Sequence, residues 1–264
     1  MRNKPAVFFG LLIFTVIYAQ QAAAQTRAAL PDQELLARVD ASISYLNTDF
    51  SAEYVVVQDR PGQARTTTVA GVFRRDSAGQ YTIVIMQPAI SSGQGYIKEG
   101  NTLRFYDPQS RRFEVTRSAS RFLNNSNARN SDFTRSTLAQ DFRVLSGANE
   151  PLGRFSCRVL TLEAVTSEVE YPRMKVWICE NNLLRKSEEY SLSGQLMRTT
   201  YVADYYSING RFVIKQALYV DTHRGARING VFVNESTQIT INRPSFDTIT
   251  EPVFSPVWLE SLSR

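Results

Sequence analysis

The chain has 264 residues, 43% of them hydrophobic, with 12 Tyr, 15 Phe and a formal charge of +5. That composition can build a large core, and the mildly positive balance is not by itself a nucleic-acid signature. A lone histidine, His223, and two cysteines supply neither a metal-ligand cluster nor the second histidine that hydrolytic chemistry would draw on, so no enzyme, metal or cofactor is expected.

Residues 1–24 read as a cleaved export signal. Arg2 and Lys4 precede an unbroken apolar run, AVFFGLLIFTVIYA, and QQAAAQ sets Ala22 and Ala24 in the A-x-A pattern, so cleavage is expected after Ala24. The alternative is a permanent anchor, but the run has about 14 residues where a spanning helix needs about 20. No cysteine stands near the cut, so the chain itself is not expected to be lipidated. The remainder, 25–264, is expected to form a single domain, of a size ordinary for one all-β barrel or sandwich. Its charge falls to +3 once Arg2 and Lys4 are removed.

The mature chain opens with LPDQELLARVDASISYLN, in which Leu35, Leu36, Val39, Ile43 and Leu46 recur at helical spacing. Pro31, Asp32 and Glu34 are start signals, so the stripe predicts a helix docked on a sheet. Strand-like runs follow: SAEYVVVQD, ARTTTVAGVFRRD, QYTIVIMQ, QGYIKE, TLRFYD and RRFEVTRS, broken by DRPGQ, DSAGQ, EGN and DPQS. After an interruption come FSCRVLTLEA, RMKVWICE, LLRKSEEYS, QLMRTTYVADYY, RFVIKQALYVD and VFVNESTQITI, with LSGQ and two Asn-Gly turns among them. Some 11–12 strands joined by tight turns predict an antiparallel meander. A twisted sheet of that width curls into a barrel that side chains alone do not fill. In TLRFYD and RRFEVTR, alternation puts Leu103, Phe105, Phe113 and Val115 on an apolar face and Arg104, Arg112, Glu114 and Thr116 on a wet one. A concave apolar face of this kind predicts a site for hydrocarbon.

The interruption reads SDFTRSTLAQDF. Asp132 is placed to cap a short helix, Leu138 and Phe142 fall one turn apart on one face, and Phe133 takes the staple position. With the first helix it would cover the apolar bowl as a lid; the alternative is a helix that plugs the barrel permanently. Cys157 and Cys179 flank TSEVEYP, and a hairpin centred near Glu168 would set them face to face as a disulfide, in keeping with export to an oxidising compartment. Glu188 and Glu189 alternate to opposite faces of a strand and cannot share a proton. His223 follows a strand and is read as a turn residue bonded to backbone. Arg104, Arg111, Arg112, Arg117, Arg121, Arg129, Arg135 and Arg143 crowd one region, either attracting anionic headgroups or forming a solvated rim. In the tail, Pro252 and Pro256 bar a ladder strand, and Val253, Phe254, Trp258 and Leu259 are expected to pack a loop and short helix on the barrel.

Four stretches, LRFYDPQSRRFEVTR, NARNSDFTRSTLAQDF, EEYSLSGQLMRT and PVFSPVWLES, resemble the LolA-like outer-membrane lipoprotein-sorting proteins, in particular the branch from spirochaetes and related diderm bacteria. The likeness runs from about Asp32 to Leu262. It implies a mainly β fold with a few helices, an unclosed antiparallel β-barrel under a helical lid. It also implies a monomeric periplasmic carrier that shields the acyl chains of lipoproteins on their way to the outer membrane, with an inner-membrane exporter and an outer-membrane acceptor as further partners. In the family's prototype an arginine on a barrel strand holds the lid shut, and no local motif places that arginine here. The residues expected to touch lipid are Leu36, Val39, Ile43, Leu103, Phe105, Phe113, Val115, Phe133, Leu138 and Phe142. The alternatives are a sensor on the same fold that binds a membrane-anchored signalling partner, and a carrier of free lipids or glycolipids. Nucleic acid is not an expected ligand.

Overall fold

Residues 31–116, 123 and 126–262 are described by a computed structural model; the expected export signal, Arg117 and Arg121 lie outside them. Strict alternation along β1 (Phe50–Asp59) buries Phe50, Ala52, Tyr54, Val56 and Gln58 on one side, as a half-buried strand requires. The same logic runs through β2 (Thr66–Arg75), β3 (Gln80–Gln87), β4 (Gly95–Glu99), β5 (Thr102–Asp107) and β6 (Arg112–Thr116). The second half supplies β7 (Phe142–Leu152), β8 (Phe155–Ala164), β9 (Arg173–Ile178), β10 (Leu184–Tyr190), β11 (Leu196–Ile208), β12 (Arg211–Ile228) and β13 (Val231–Ser245).

These 13 strands form one antiparallel sheet in the order β6-β5-β4-β3-β2-β1-β13-β12-β11-β10-β9-β8-β7. Two meanders are therefore zipped together by β1 against β13, with Tyr54 opposite Ile241, and β6 and β7 remain as edges of an unclosed barrel. Bulges at Val202–Tyr205 of β11 and between Val220 and Gly225 of β12 add the local twist that curls the sheet. Asn209-Gly210 and Asn229-Gly230 both take positive φ, the backbone that a two-residue hairpin turn demands. β8 and β9 pair with Arg158 opposite Ile178 and Glu163 opposite Arg173, which centres the hairpin at Glu168. Cys157 and Cys179 are disulfide-bonded across it.

Helix α1 (Asp32–Ile43) lays Leu36 and Val39 on Phe142, Leu160, Leu162, Val176 and Ile178. Its first residue is tied to β8, because Arg158 donates from Nε and Nη2 to Asp32 at 2.8 Å each. Gly147 makes room for this pair: a Cβ there would lie 2.4 Å from Asp32 Oδ2 and 2.6 Å from Arg158 Nη2. The helix stops at Ile43, so Leu46, expected on its stripe, is an exposed residue of the following turn. At the other end of the chain, α3 (Pro256–Ser261) packs Leu259 against Ile97 and Tyr106, and Trp258 edge-on to Phe73.

Three expectations are corrected. The segment Ser131–Phe142 is not one helix capped by Asp132: it is a 3-10 turn at Asn130–Phe133, an extended stretch, and a single turn α2 (Leu138–Asp141). Asp132 instead takes the Arg129 N–H at 2.7 Å, and the free N–H groups of Leu138 and Ala139 donate to Asp40 of α1 at 3.0 and 2.8 Å. Phe142 begins a strand that the sequence reading missed, which raises the count above 11–12. Lastly, Leu103, Phe105, Phe113 and Val115 do not share a face. Phe105 stands opposite Glu114, and Phe113 opposite Tyr106, so cross-strand neighbours put Phe113 and Val115 on the outer face.

Candidate functional site

A cavity of about 890 Å³ lies between the inner face of the sheet and the segments 130–138 and 167–171. That is within the span of about 300–1,000 Å³ usual for small-ligand sites. Its walls are Phe50 and Tyr54 of β1, Tyr81 of β3, Val202 of β11, Val213, Ala217 and Tyr219 of β12, and Ile239 and Ile241 of β13. Ile43 from the end of α1, with Phe133, Leu138 and Phe142, closes the other side. The Phe133 ring rests 5.6 Å from that of Tyr54, centroid to centroid, so the cover packs directly on the wall.

The cover is held from beneath by a buried ion network. Arg198 of β11 donates to Asp132 at 2.8 and 3.1 Å, and its Nε to the Glu189 carboxylate of β10. Glu189 also accepts from Ser187 at 2.9 Å and Thr200 at 3.2 Å. Burial opposes the charge on Arg198, but the Asp132 and Glu189 carboxylates outweigh it and hold the guanidinium well above its usual range. Beside them Arg129 pairs with Glu170 at 2.9 Å. Burial still raises the Glu170 carboxyl, against the pull of Arg129 and Arg198. A second fastening lies across the cavity, where Arg74 grips Asp76 at 2.8–3.1 Å and Asp76 accepts the Tyr45 N–H at 2.9 Å. That contact pins the turn after α1.

Helix α1 and the cover are also stitched to each other. Gln33 donates to the carbonyls of Ala139 at 3.1 Å and Phe142 at 3.0 Å, and accepts from the Val144 N–H at 3.1 Å. With Asp40 on α2, two side chains of one helix thus fix the C-terminal end of the segment that roofs the cavity. Arg198, Asp132, Glu189, Glu170, Arg74 and Asp76 are paired, Lys98, Arg135, Asp141 and Glu168 add polar rim to the lining, and the sheet wall between is largely aliphatic and aromatic. Such a space can exchange contacts with an apolar guest; among the described residues no cluster able to hold a metal ion is present.

Of the residues expected to touch lipid, Ile43, Phe133, Leu138 and Phe142 line this cavity. Leu36 and Val39 lie in the separate core beneath α1. Leu103 and Phe105 join the main core, where Phe105 packs on Tyr96 at 5.1 Å. Phe113 sits outside with Tyr106, and Val115 is 74% exposed. The sequence reading missed the β12 and β13 walls and the whole ion network. A signal for the network was present, since Glu189 and Arg198 face each other directly across β10 and β11, a pair of opposite charges flanking SLSG. Of the arginine crowd, Arg104 pairs with Glu99 at 2.6 Å, Arg129 with Glu170, and Arg143 with Glu163. His223 Nε2 lies 2.8 Å from the Leu196 carbonyl, a backbone partner as expected. Glu188 reaches Lys186 while Glu189 is buried, on opposite faces.

Comparison with known proteins supports the same architecture. The LolA superfamily protein NE2245 from Nitrosomonas europaea is 20% identical, with a TM-score of 0.69 over 86% of this chain and 98% of that one. A putative outer membrane lipoprotein-sorting protein domain from Vibrio parahaemolyticus is 17% identical, with a TM-score of 0.73 over 88% and 98%. A DUF1329 family protein from Desulfovibrio piger is 17% identical, with a TM-score of 0.72 over 86% and 97%. At these identities the likeness is one of fold. No curated protein matches the sequence. A family model described as “-like: Uncharacterized protein” matches residues 78–261. The chain therefore belongs to that family, and its fold is LolA-like.

Proposed function

We propose that this protein is a periplasmic carrier that lodges the acyl chains of lipoproteins in the cavity and conveys them towards the outer membrane. The observation that carries this reading is the space of about 890 Å³, walled by aliphatic and aromatic side chains of the sheet and roofed by a segment that separate fastenings hold down. Each buried CH₂ of a guest contributes about 0.8 kcal/mol, so an acyl chain can offset the loss of several cover contacts. Arg198 stays charged and stays with Glu189 on the rigid sheet, while Asp132 leaves with the cover. Leu138, Phe133 and Phe142 then exchange contacts with the wall for contacts with the guest. In this reading residues 1–24 direct export and are removed, residues 25–264 are one carrier domain, and no catalytic step or cofactor takes part. No helix of the described residues is long and apolar enough to cross a membrane, which is compatible with shuttling.

The test is uptake of a fluorescent fatty acid and of a triacylated peptide by the purified chain. Saturable binding of both is expected, and Leu138→Glu, which sets a charge on the cavity roof, is expected to weaken it by more than about tenfold. Failure of the wild-type chain to bind either probe at micromolar concentration would overturn the reading. Mass spectrometry of what co-purifies from cells separates lipoprotein cargo from free lipid.

A further inference from the structure

The hairpin of β12 and β13 runs past the rest of the sheet. Pairing of β12 with β11 stops at Asp221 opposite Arg198, and pairing of β13 with β1 stops at Ser236 opposite Asp59. Thr222 and His223 still reach the Leu196 carbonyl of β11, and Glu235 pairs with Arg60, but from Gly225–Asn234 to Ile228–Val231 the ladder is the ribbon's own. A two-stranded ribbon is marginal in water, yet this one is apolar at its tip. The register puts Ala226, Ile228, Val231 and Val233 on one face, and Phe232 beside Arg227 on the other. Val231 is 66% exposed and Phe232 45%, at positions where solvent would favour polar side chains.

The charge around the tip has one sign. Between Thr222 and Asn234 no acidic residue occurs, and Arg224 and Arg227 are both exposed. The carboxylates at its base are already engaged: Asp221 accepts the His223 and Arg224 N–H groups at 2.9 and 3.0 Å, Asp59 pairs with Arg65 at 2.8 Å and Glu235 with Arg60 at 3.9 Å. We infer that residues 222–235 form a membrane-docking hairpin, whose apolar tip enters the headgroup–acyl boundary of an anionic phospholipid surface while Arg224 and Arg227 meet the phosphates. Apolar area and attraction to anionic lipid are the two contributions that hold a protein at such an interface. The inference stands apart from what the cavity carries.

The experiment is co-sedimentation of the full chain with vesicles of phosphatidylcholine alone and of phosphatidylcholine mixed with phosphatidylglycerol. Binding is expected to the anionic vesicles, to fall with added salt, and to be weak on neutral ones. Arg224→Gln with Arg227→Gln should lower partitioning roughly thirty-fold, at about fivefold per arginine. Phe232→Ser should lower it about tenfold even at low salt. Because the tip lies beyond the flanking strands, melting temperature and fatty-acid uptake should be unchanged in these variants. Phe232→Trp gives a second readout, a blue shift of its emission on adding anionic vesicles. Equal binding to both vesicle types, no binding to either, indifference to the hairpin variants, or a vesicle-free dimer that Phe232→Ser dissolves would each overturn the inference.

Discussion

Arg198 and Asp132 are joined by two hydrogen bonds, yet removing one partner should do something quite different from removing the other. Replacing Arg198 by Met leaves Asp132 and Glu189 both buried without a counter-charge. Breaking a buried pair from one side costs about 3–5 kcal/mol. At about 2–4 °C per kcal/mol for a domain of this size, the melting temperature should fall by roughly 6–20 °C. Replacing Asp132 by Asn leaves Arg198 neutralised by Glu189. It removes a charge-assisted bond worth about 1.5–3 kcal/mol, and it does so at the cover rather than in the sheet. Hydrogen exchange of the amides in 126–142 should therefore quicken about tenfold to a hundredfold, and the melting temperature should fall by roughly 3–12 °C, less than for Arg198→Met. The reasoning fails if cover amides in the Asp132→Asn variant exchange at wild-type rates, or if Arg198→Met melts within about 2 °C of wild type.

Two further outcomes are expected. Reducing the Cys157–Cys179 bridge, which closes a loop with a sequence separation of 22, should cost about 3 kcal/mol, or roughly 6–12 °C by calorimetry; an unchanged melting temperature would contradict it. The Arg158 hydrogen bonds, working against the cost of burial, hold the Asp32 carboxyl below its ordinary value of 3.8. The stabilisation from that depressed value is fully present above 3.8 and is lost as pH falls through the folded-state value. Asp32→Asn should thus loosen α1 at neutral pH and differ least from wild type in strong acid, as followed by chemical denaturation across that range; a constant difference at all pH would count against the pair.

Alternation and turn chemistry made most of the sheet legible, and the hairpin centre at Glu168 followed from two strand-like runs flanking TSEVEYP with a cysteine in each. β7 escaped because FRVLSGANEPL carries Gly147 and Pro151, and an edge strand with much of its length in solvent shows no burial period. The error at Phe113 and Val115 is one of parity. Asp107 pairs with Arg112, so the turn between them holds an even number of residues, and odd-numbered positions in β5 share a face with even-numbered ones in β6. Alternation within each strand cannot reveal that relation; the turn sets it. The cavity was foreseen as a bowl, but its walls are at Val213, Tyr219, Ile239 and Ile241, where β1 zips to β13. That pairing joins the two ends of the sequence and leaves no local trace. Phe133, Leu138 and Phe142 stood out in the sequence as apolar side chains in a polar segment, although the helix expected to carry them is the single turn Leu138–Asp141.

Native mass spectrometry of the intact chain titrated with a triacylated peptide tests the central claim most directly. The account predicts one lipopeptide per protein chain, bound at micromolar concentration and weakened by Leu138→Glu. A spectrum showing only the unliganded mass throughout the titration would contradict it.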